Sequence, residues 1–311
     1  MEKLLIDTDI GDDVDDALAL TYVIKSKKAD LIGITTTFKN THLRARQAKK
    51  LLGFCGAAEV PVYAGVGNPM CGEQNTGEIF CQYTPDLENK EFDYENMEDE
   101  EGLSATDFII EQAEKYGQEL TLLLIGPVTN IAYAIKKNPE AMRKIGRIVV
   151  MGGAFYEHFL EWNILCDPDA ARILFDSEIP LYCVGIDVTA KCELTDDEVA
   201  LFKENADDGL YGYINQLVNM WIKASGRMPI LHDPLAAHAV FGGEFLSFEQ
   251  RTVRVELDGE FTRGMTVNVE NCCKYGPKLS KHYPIHIAKS VDEKAFKKLF
   301  FETFFCDAQN R

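Results

Sequence analysis

Short apolar runs alternate along the chain with longer segments whose apolar positions recur at helical spacing. Lys3–Ile6, Leu31–Thr36, Val60–Tyr63, Leu120–Ile125, Ile148–Met151 and Leu181–Ile186 read as strands. Between them Asp15–Lys25, His42–Phe54, Thr106–Tyr116, Asn130–Lys136 and Pro168–Phe175 read as helices. That alternation predicts an α/β fold: an open, mostly parallel (mixed) sheet with helices on both faces. Further along, Thr195–Ala224 reads as two helices, the first opened by a capping box of Thr195 and Glu198. Arg251–Leu257 and Met265–Val269 read as a late hairpin, and Lys294–Phe305 as a C-terminal helix. No repeat and no proline-rich linker interrupts the series, so residues 1–311 are expected to form a single domain. The stretch from Asp86 to Glu101, crowded with carboxylates around Phe92 and Tyr94, reads as a solvated loop.

Composition narrows the partners. With 46% hydrophobic and 26% charged residues the chain has ordinary globular chemistry. Its net charge of −18 repels phosphate backbones and anionic lipid, which disfavours nucleic acid and membrane surfaces. A small molecule or a divalent metal fits better. No window approaches the roughly 20 apolar residues of a membrane span, and MEKLLIDTDI turns acidic too early for a signal peptide, so a cytoplasmic location is expected. Nine cysteines without a CxxC pair, several inside apolar runs, read as reduced and mostly buried thiols.

In open parallel sheets ligands bind beyond the carboxyl ends of the strands. The first strand runs into Asp7-Thr8-Asp9-Ile10-Gly11-Asp12-Asp13-Val14-Asp15-Asp16, where a helix begins. One or two acids there would serve the helix dipole, but six exceed that need. Packed carboxylates repel, and a hard cation bound through oxygens relieves them; this reading outweighs a solvated acidic loop. An EF-hand is excluded, because the loop lacks Gly at its sixth and Glu at its twelfth position. The other strand ends add small and polar groups at Thr37-Phe38-Lys39-Asn40, Gly126-Pro127-Val128-Thr129-Asn130, Gly152-Gly153 and Asp187-Val188-Thr189. Two further polar clusters, Glu161-Trp162-Asn163 and Leu231-His232-Asp233-Pro234, sit in apolar surroundings.

Asp7-Thr8-Asp9-Ile10-Gly11 followed by Asp15-Asp16-Ala17-Leu18-Ala19-Leu20 resembles the N-terminal aspartate signature of nucleoside hydrolases. Ile34-Thr35-Thr36 with Asn40, Gly126 to Asn130, Met151-Gly152-Gly153, Glu161-Trp162-Asn163, Asp187-Val188-Thr189, His232-Asp233-Pro234 and Thr262-Arg263-Gly264-Met265-Thr266 resemble that family's later blocks, in the same order. The resemblance implies the nucleoside hydrolase fold and calcium-dependent cleavage of the bond between base and ribose. It implies Asp9, Asp16, Asp233 and the carbonyl of Ile125 as ligands of Ca²⁺, with Asp9 also the general base acting on a metal-held water. Asp7 is implied as support for the cluster. Asp15, Asn40, Glu161 and Asn163 are implied as a clamp on the ribose hydroxyls. His232, beside a proposed ligand, is read as protonating or contacting the leaving base. A homo-oligomer, dimer or tetramer, is implied as well.

Each of these residues also has a plainer reading. Asn40 and Asn163 suit turns or caps, Glu161 suits a surface, and Asp233 before Pro234 suits a helix N-cap. The pattern departs from the family's commoner form in two places. Asp12, Asp13 and Val14 intervene before the paired aspartates, and Asp15-Asp16 is preferred as the pair because Ala17-Leu18-Ala19-Leu20 follows. Gln74-Asn75-Thr76-Gly77-Glu78 has no histidine where many relatives carry one, and Tyr156-Glu157-His158 lacks an asparagine that some use. Base preference is therefore open, a modified nucleoside such as queuosine included. Two rival functions stand beside this one. Asp7-Thr8-Asp9 also resembles the nucleophile motif of haloacid dehalogenase-type magnesium phosphatases, though Gly11 stands where Thr or Val is wanted. The other rival is a non-catalytic ribonucleoside-binding homologue.

Overall fold

A computed structural model describes residues 1–72, 82–88, 92–270 and 285–307. β1 (Glu2–Thr8) is buried from Leu4 onward, and its side chains alternate between two apolar layers. Leu4 and Ile6 enter one layer and Leu5 the other, as a period of two requires. α1 (Asp15–Ser26), β2 (Ala29–Thr36), α2 (Thr41–Phe54) and β3 (Val62–Ala64) build one half of the sheet. α3 (Leu103–Tyr116) leads into β4 (Leu120–Leu124), then α4 (Thr129–Lys137), α5 (Pro139–Met142) and β5 (Arg147–Met151). α6 (Trp162–Cys166), α7 (Pro168–Phe175), β6 (Leu181–Val184) and α8 (Ile186–Thr189) follow. α9 (Asp196–Glu204), α10 (Leu210–Ser225) and α11 (His232–Val240) come before the last strands. These are β7 (Leu246–Arg251), β8 (Val253–Val255), β9 (Thr266–Asn268) and β10 (Ile285–Val291), and α12 (Glu293–Phe304) closes the series.

Among the described residues the sheet has eight strands in the order β3-β2-β1-β4-β5-β6-β10-β7, and of these only β7 lies antiparallel to its neighbour. β8 and β9 form the expected hairpin. One core layer joins α1, α2, α10, α11 and α12 to the sheet, and the other joins α3, α4, α5 and α7. α11 packs against α1 on one side and β4, β5 and β6 on the other, so Asp233–Val240 are buried. The capping box of Thr195 and Glu198 is present on α9.

Several elements depart from expectation. β3 begins two residues late, at Val62, after Pro61. β6 stops at Val184 because Ile186 N–H turns away to Gly153 O (2.9 Å), starting α8. The sequence pattern missed β7 and β10; β10 interrupts its apolar positions with His286, Lys289 and Ser290. Part of the acidic stretch 86–101 is not solvated: Tyr94 and Asn96 are buried, and Asn96 bonds both Ala64 N (2.7 Å) and Ala64 O (2.6 Å). Gln74–Glu78 lies outside the described residues. The described cysteines are free thiols, with Cys166, Cys183 and Cys192 buried. Among the described residues no helix is long and apolar enough to cross a membrane.

Candidate active site

The chain builds β2 and β3 on one side of β1, then crosses to place β4 on the other. Such a switch point leaves a crevice at the strands' carboxyl ends. Here it holds a cavity of about 370 Å³ lined by Asp9, Asp12, Asp13, Asp15, Asp16, Glu161 and Asp233, with Ile125, Asn163 and His232 beside them.

The acid turn is shaped by its neighbours. Gly11 has φ +108°, and a Cβ there would stand 2.6 Å from Gln47 Oε1, so the turn requires glycine. Thr8 donates its hydroxyl to Asp16 and accepts from Ile10 N–H (3.1 Å). Arg44, fully buried on α2, donates from Nη1 to Asp9 O and Ile10 O, and from Nε to Phe38 O (2.7 Å). It thereby ties the loop after β1 to the loop after β2, where Phe38 and Lys39 adopt φ of 70° and 55°. The two strained residues are held by backbone bonds to Val66 O (3.2 Å) and Gly67 O (2.7 Å).

Asp15 and Asp16 sit on the first turn of α1, and α11 brings Asp233 to them from far along the chain. Asp15 Oδ2 accepts from Asp233 N–H at 3.2 Å. Carboxylate oxygens of Asp15, Asp16 and Asp233 all lie within 4.8 Å of one another. Burial, and then the charge of neighbouring aspartates, Asp13 at Asp15, Asp9 at Asp16 and Asp15 at Asp233, holds all three well above the usual carboxylate range. Burial also raises Asp9 to about 7 against the opposing pull of Arg44, and raises Asp13 to about 8. Buried, all-oxygen and short of cationic partners, this donor set fits a hard divalent metal.

The sequence-derived residues do not all meet here. Asp16, Asp233, Asp9 and Ile125 share the cavity, but the tight trio contains Asp15 in place of Asp9. Asp7 lies behind the cavity as a support: its Oδ1 accepts from Thr35 Oγ1 (2.6 Å) and Asn130 Nδ2 (2.8 Å). That burial also removes it as a phosphatase nucleophile. Glu161 is both cap and cavity wall, accepting from Asn163 N (3.0 Å), Ile164 N (3.1 Å) and Gly153 N (3.0 Å). Burial raises its carboxyl, and those backbone bonds oppose the rise. Asn163 donates to Met151 O (3.1 Å) and faces the cavity. Asn40 is exposed and caps α2 through Leu43 N–H (3.1 Å); it does not line the cavity, so its plainer reading describes what is seen. Asp233 is not an N-cap, since Leu231 holds that position and His232 opens α11. His232 Nδ1 lies 2.7 Å from Thr189 Oγ1, and burial pushes the imidazole down to about 4. Asp12 and Asp13, assigned to the turn, line the cavity too. Sequence reasoning gave no role to Phe159, Trp162, Trp221 or Arg227, which complete the wall. Trp162 stood in the Glu161-Trp162-Asn163 cluster and carried a signal; Trp221 inside an apolar helix carried none.

Comparison with known proteins gives the same answer as the geometry. Residues 4–298 match the model of the inosine-uridine preferring nucleoside hydrolases. The chain is 32% identical over 269 residues to uridine nucleosidase 1 of Arabidopsis thaliana, covering 83% of this chain and 79% of that one. It is 30% identical to a probable uridine nucleosidase 1 of Oryza sativa subsp. japonica, covering 94% and 93%. A purine-preferring ribonucleoside hydrolase from Gardnerella vaginalis superposes with a TM-score of 0.82 at 30% identity, over the whole of both chains. Neither the phosphatase nor the non-catalytic alternative gains support from these matches. With the aspartate cluster at the sheet's switch point and this agreement over nearly its full length, the chain belongs to the inosine-uridine preferring nucleoside hydrolase family and is an N-ribohydrolase.

Proposed function

We propose that residues 1–311 act as one domain that hydrolyses a ribonucleoside to free base and ribose, with water attacking C1′ directly and Asp9 as general base. The observation that carries this reading is the buried carboxylate group at the switch point, facing Glu161, Asn163 and His232 across one cavity. Asp16, Asp233 and the carbonyl of Ile125, with Asp9 and Asp15 at hand, would hold calcium, since every donor is a hard oxygen and no cysteine or imidazole belongs to the set. When bound, such a cation lowers the pKa of a water and anchors vicinal hydroxyls. Asp9 takes the proton that the attacking water loses, and Asp15, Glu161 and Asn163 accept and donate hydrogen bonds around the ribose. Positive charge developing at C1′ is met by the surrounding carboxylates. The C1′–N electron pair departs on the base, beside His232. Asn40, outside the cavity here, joins the clamp only if the loop carrying it closes on substrate.

With Asp9, Asp16 and Asp233 assigned to the metal and water, and Asp15 and Glu161 to the ribose, water rather than a carboxylate attacks C1′, so the reaction inverts the anomeric carbon. A β-nucleoside yields α-ribose first, seen by early-time proton NMR; initial β-ribose refutes direct attack. The named relatives include uridine nucleosidases and a purine-preferring enzyme, so base preference needs measurement. A panel of uridine, inosine, queuosine and 5′-monophosphates, scored for free base and reducing sugar, tests the activity and ranks the bases. Calcium is tested by metal analysis of the purified protein, where zinc at full occupancy overturns it. The chain is also proposed to work in the cytoplasm as a homo-oligomer, which light scattering checks.

A further inference from the structure

α8 is a single turn, yet it is fastened on every side. Ile186 N–H donates to Gly153 O (2.9 Å), and Thr189 N–H closes onto Gly185 O (3.1 Å). The carboxylate of Asp187 accepts from Phe155 N–H (2.7 Å) and Tyr156 N–H (3.2 Å). Beyond the turn, Leu194 N–H bonds Pro229 O (2.9 Å) and Leu231 N–H bonds Cys192 O (3.1 Å), around an antiparallel bridge between Glu193 and Ile230. Backbone bonds on both flanks therefore set the 2.7 Å approach of Thr189 Oγ1 to His232 Nδ1.

The direction of that hydrogen bond follows from what a hydroxyl offers. Thr189 is fully buried, and among the described residues its hydroxyl has His232 as its only partner. Were the imidazole the donor, the hydroxyl hydrogen would be sealed away from any acceptor. With the hydroxyl donating, only its acceptor lone pairs go unused, which is a smaller loss than a buried hydrogen without an acceptor. Nδ1 thus accepts, and the hydrogen of the neutral ring sits on Nε2. Among the described residues Nε2 has no protein partner, and His232 lines the cavity.

We infer that Thr189 is a positioning residue that holds His232 as the Nε2–H tautomer, a fixed hydrogen-bond donor for the departing base. The inference rests on the ribohydrolase reading of the cavity. As the C1′–N bond breaks, its electron pair collects on the base, and the Nε2–H donor offsets that charge; no bond forms to His232.

The test compares wild type, Thr189→Val and Thr189→Ser on uridine and inosine and on p-nitrophenyl β-D-ribofuranoside, whose leaving phenolate needs no donor. For Thr189→Val, kcat on the nucleosides falls by roughly tenfold or more, while KM and turnover of the p-nitrophenyl riboside stay within about twofold. Thr189→Ser restores the nucleoside rate. Equal losses on both kinds of substrate, or no loss on nucleosides, overturn the inference. Nitrogen-15 NMR of the histidine-labelled wild type reads the tautomer independently of any variant's folding: a protonated Nε2 supports it, and a protonated Nδ1 overturns it. Wild-type protein inert toward both kinds of substrate is a different failure, since it refutes the ribohydrolase reading itself.

Discussion

Two acid-rich regions of the molecule are handled in opposite ways. On the far edge of the sheet, Glu249 accepts from Tyr156 Oη (2.8 Å) and pairs with Arg251 (2.6 Å) and Lys289 (3.2 Å). The Tyr156 hydrogen bond first, then Lys289, hold its carboxyl below the usual range. Asp176 is likewise flanked by Arg172 (2.7 Å) and Arg254 (2.8 Å). At the carboxyl end of β1, by contrast, Asp15, Asp16 and Asp233 crowd together, and their carboxyls rise, with Arg44 opposing the rise only at Asp16. The protein neutralises the surface acids itself and leaves the cavity acids uncompensated. Local disagreement of this kind, in a fold otherwise consistent, marks function.

The contrast breaks first at the cavity. Asp16→Ala and Asp233→Ala are each expected to cut turnover on the order of 10³-fold or more and to lower metal content. In chelator, the same variants unfold no earlier than wild type, because each removes a repelling charge. Loss of stability equal to the loss of turnover would make these acids structural. Next comes removal of the cation. Chelation should lower the wild-type melting temperature by a few degrees, the size expected when a ligand at about a hundredfold excess over its Kd contributes about 2.7 kcal/mol. Calcium should restore it, and Asp16→Ala should show no such shift.

Asp12→Ala is expected to cost less than about tenfold in kcat/KM, although Asp12 lines the same cavity. Damage matching that of Asp16→Ala would move the metal to the other aspartate pair. The smallest effect belongs to the surface: Glu249→Gln should leave turnover unchanged and shift melting by about a degree.

A pH experiment sharpens the comparison away from the acids. His238, near the end of α11, bonds Tyr22 Oη (3.2 Å), and burial, with Lys28 adding to it, pushes its imidazole down to about 4. Its folded pKa lies below its unfolded value, so the unfolded chain takes up the proton first as pH falls. The stability His238 contributes is complete above about 6.5 and is lost as pH drops toward about 4. Chemical denaturation of wild type and His238→Gln between those pH values should show the wild-type advantage shrinking with acid; an unchanged difference refutes the assignment.

The fold was legible where the chain punctuates itself. α1 begins at the paired aspartates as the spacing predicts, whereas β1 runs two residues beyond the predicted Ile6, to Thr8, because the apolar pattern stops before the first acid of the strand. The strand β10 was not legible, because His286 and Lys289 read as polar loop until Tyr182 is found stacked on His286 at 4.3 Å. The acids of the site were legible as chemistry, but their grouping was not. Asp15 and Asp233 are 218 residues apart, and only the packing of α11 on α1 shows that Asp15, rather than Asp9, closes the trio. Asn40 marks the converse limit. The same residue type serves a cap and a sugar clamp, and sequence cannot say which without the direction of the side chain.

The bond from Asp233 N–H to Asp15 Oδ2 also orders events in time. Synthesis proceeds from the N-terminus, so the aspartates of α1 leave the ribosome long before α11 exists. A nascent chain stalled before residue 233 carries the acids without their third member and without the helix that covers them. The three-acid group is therefore complete only once the chain has been made through α11, and a fragment abandoned earlier keeps two of its acids without the third.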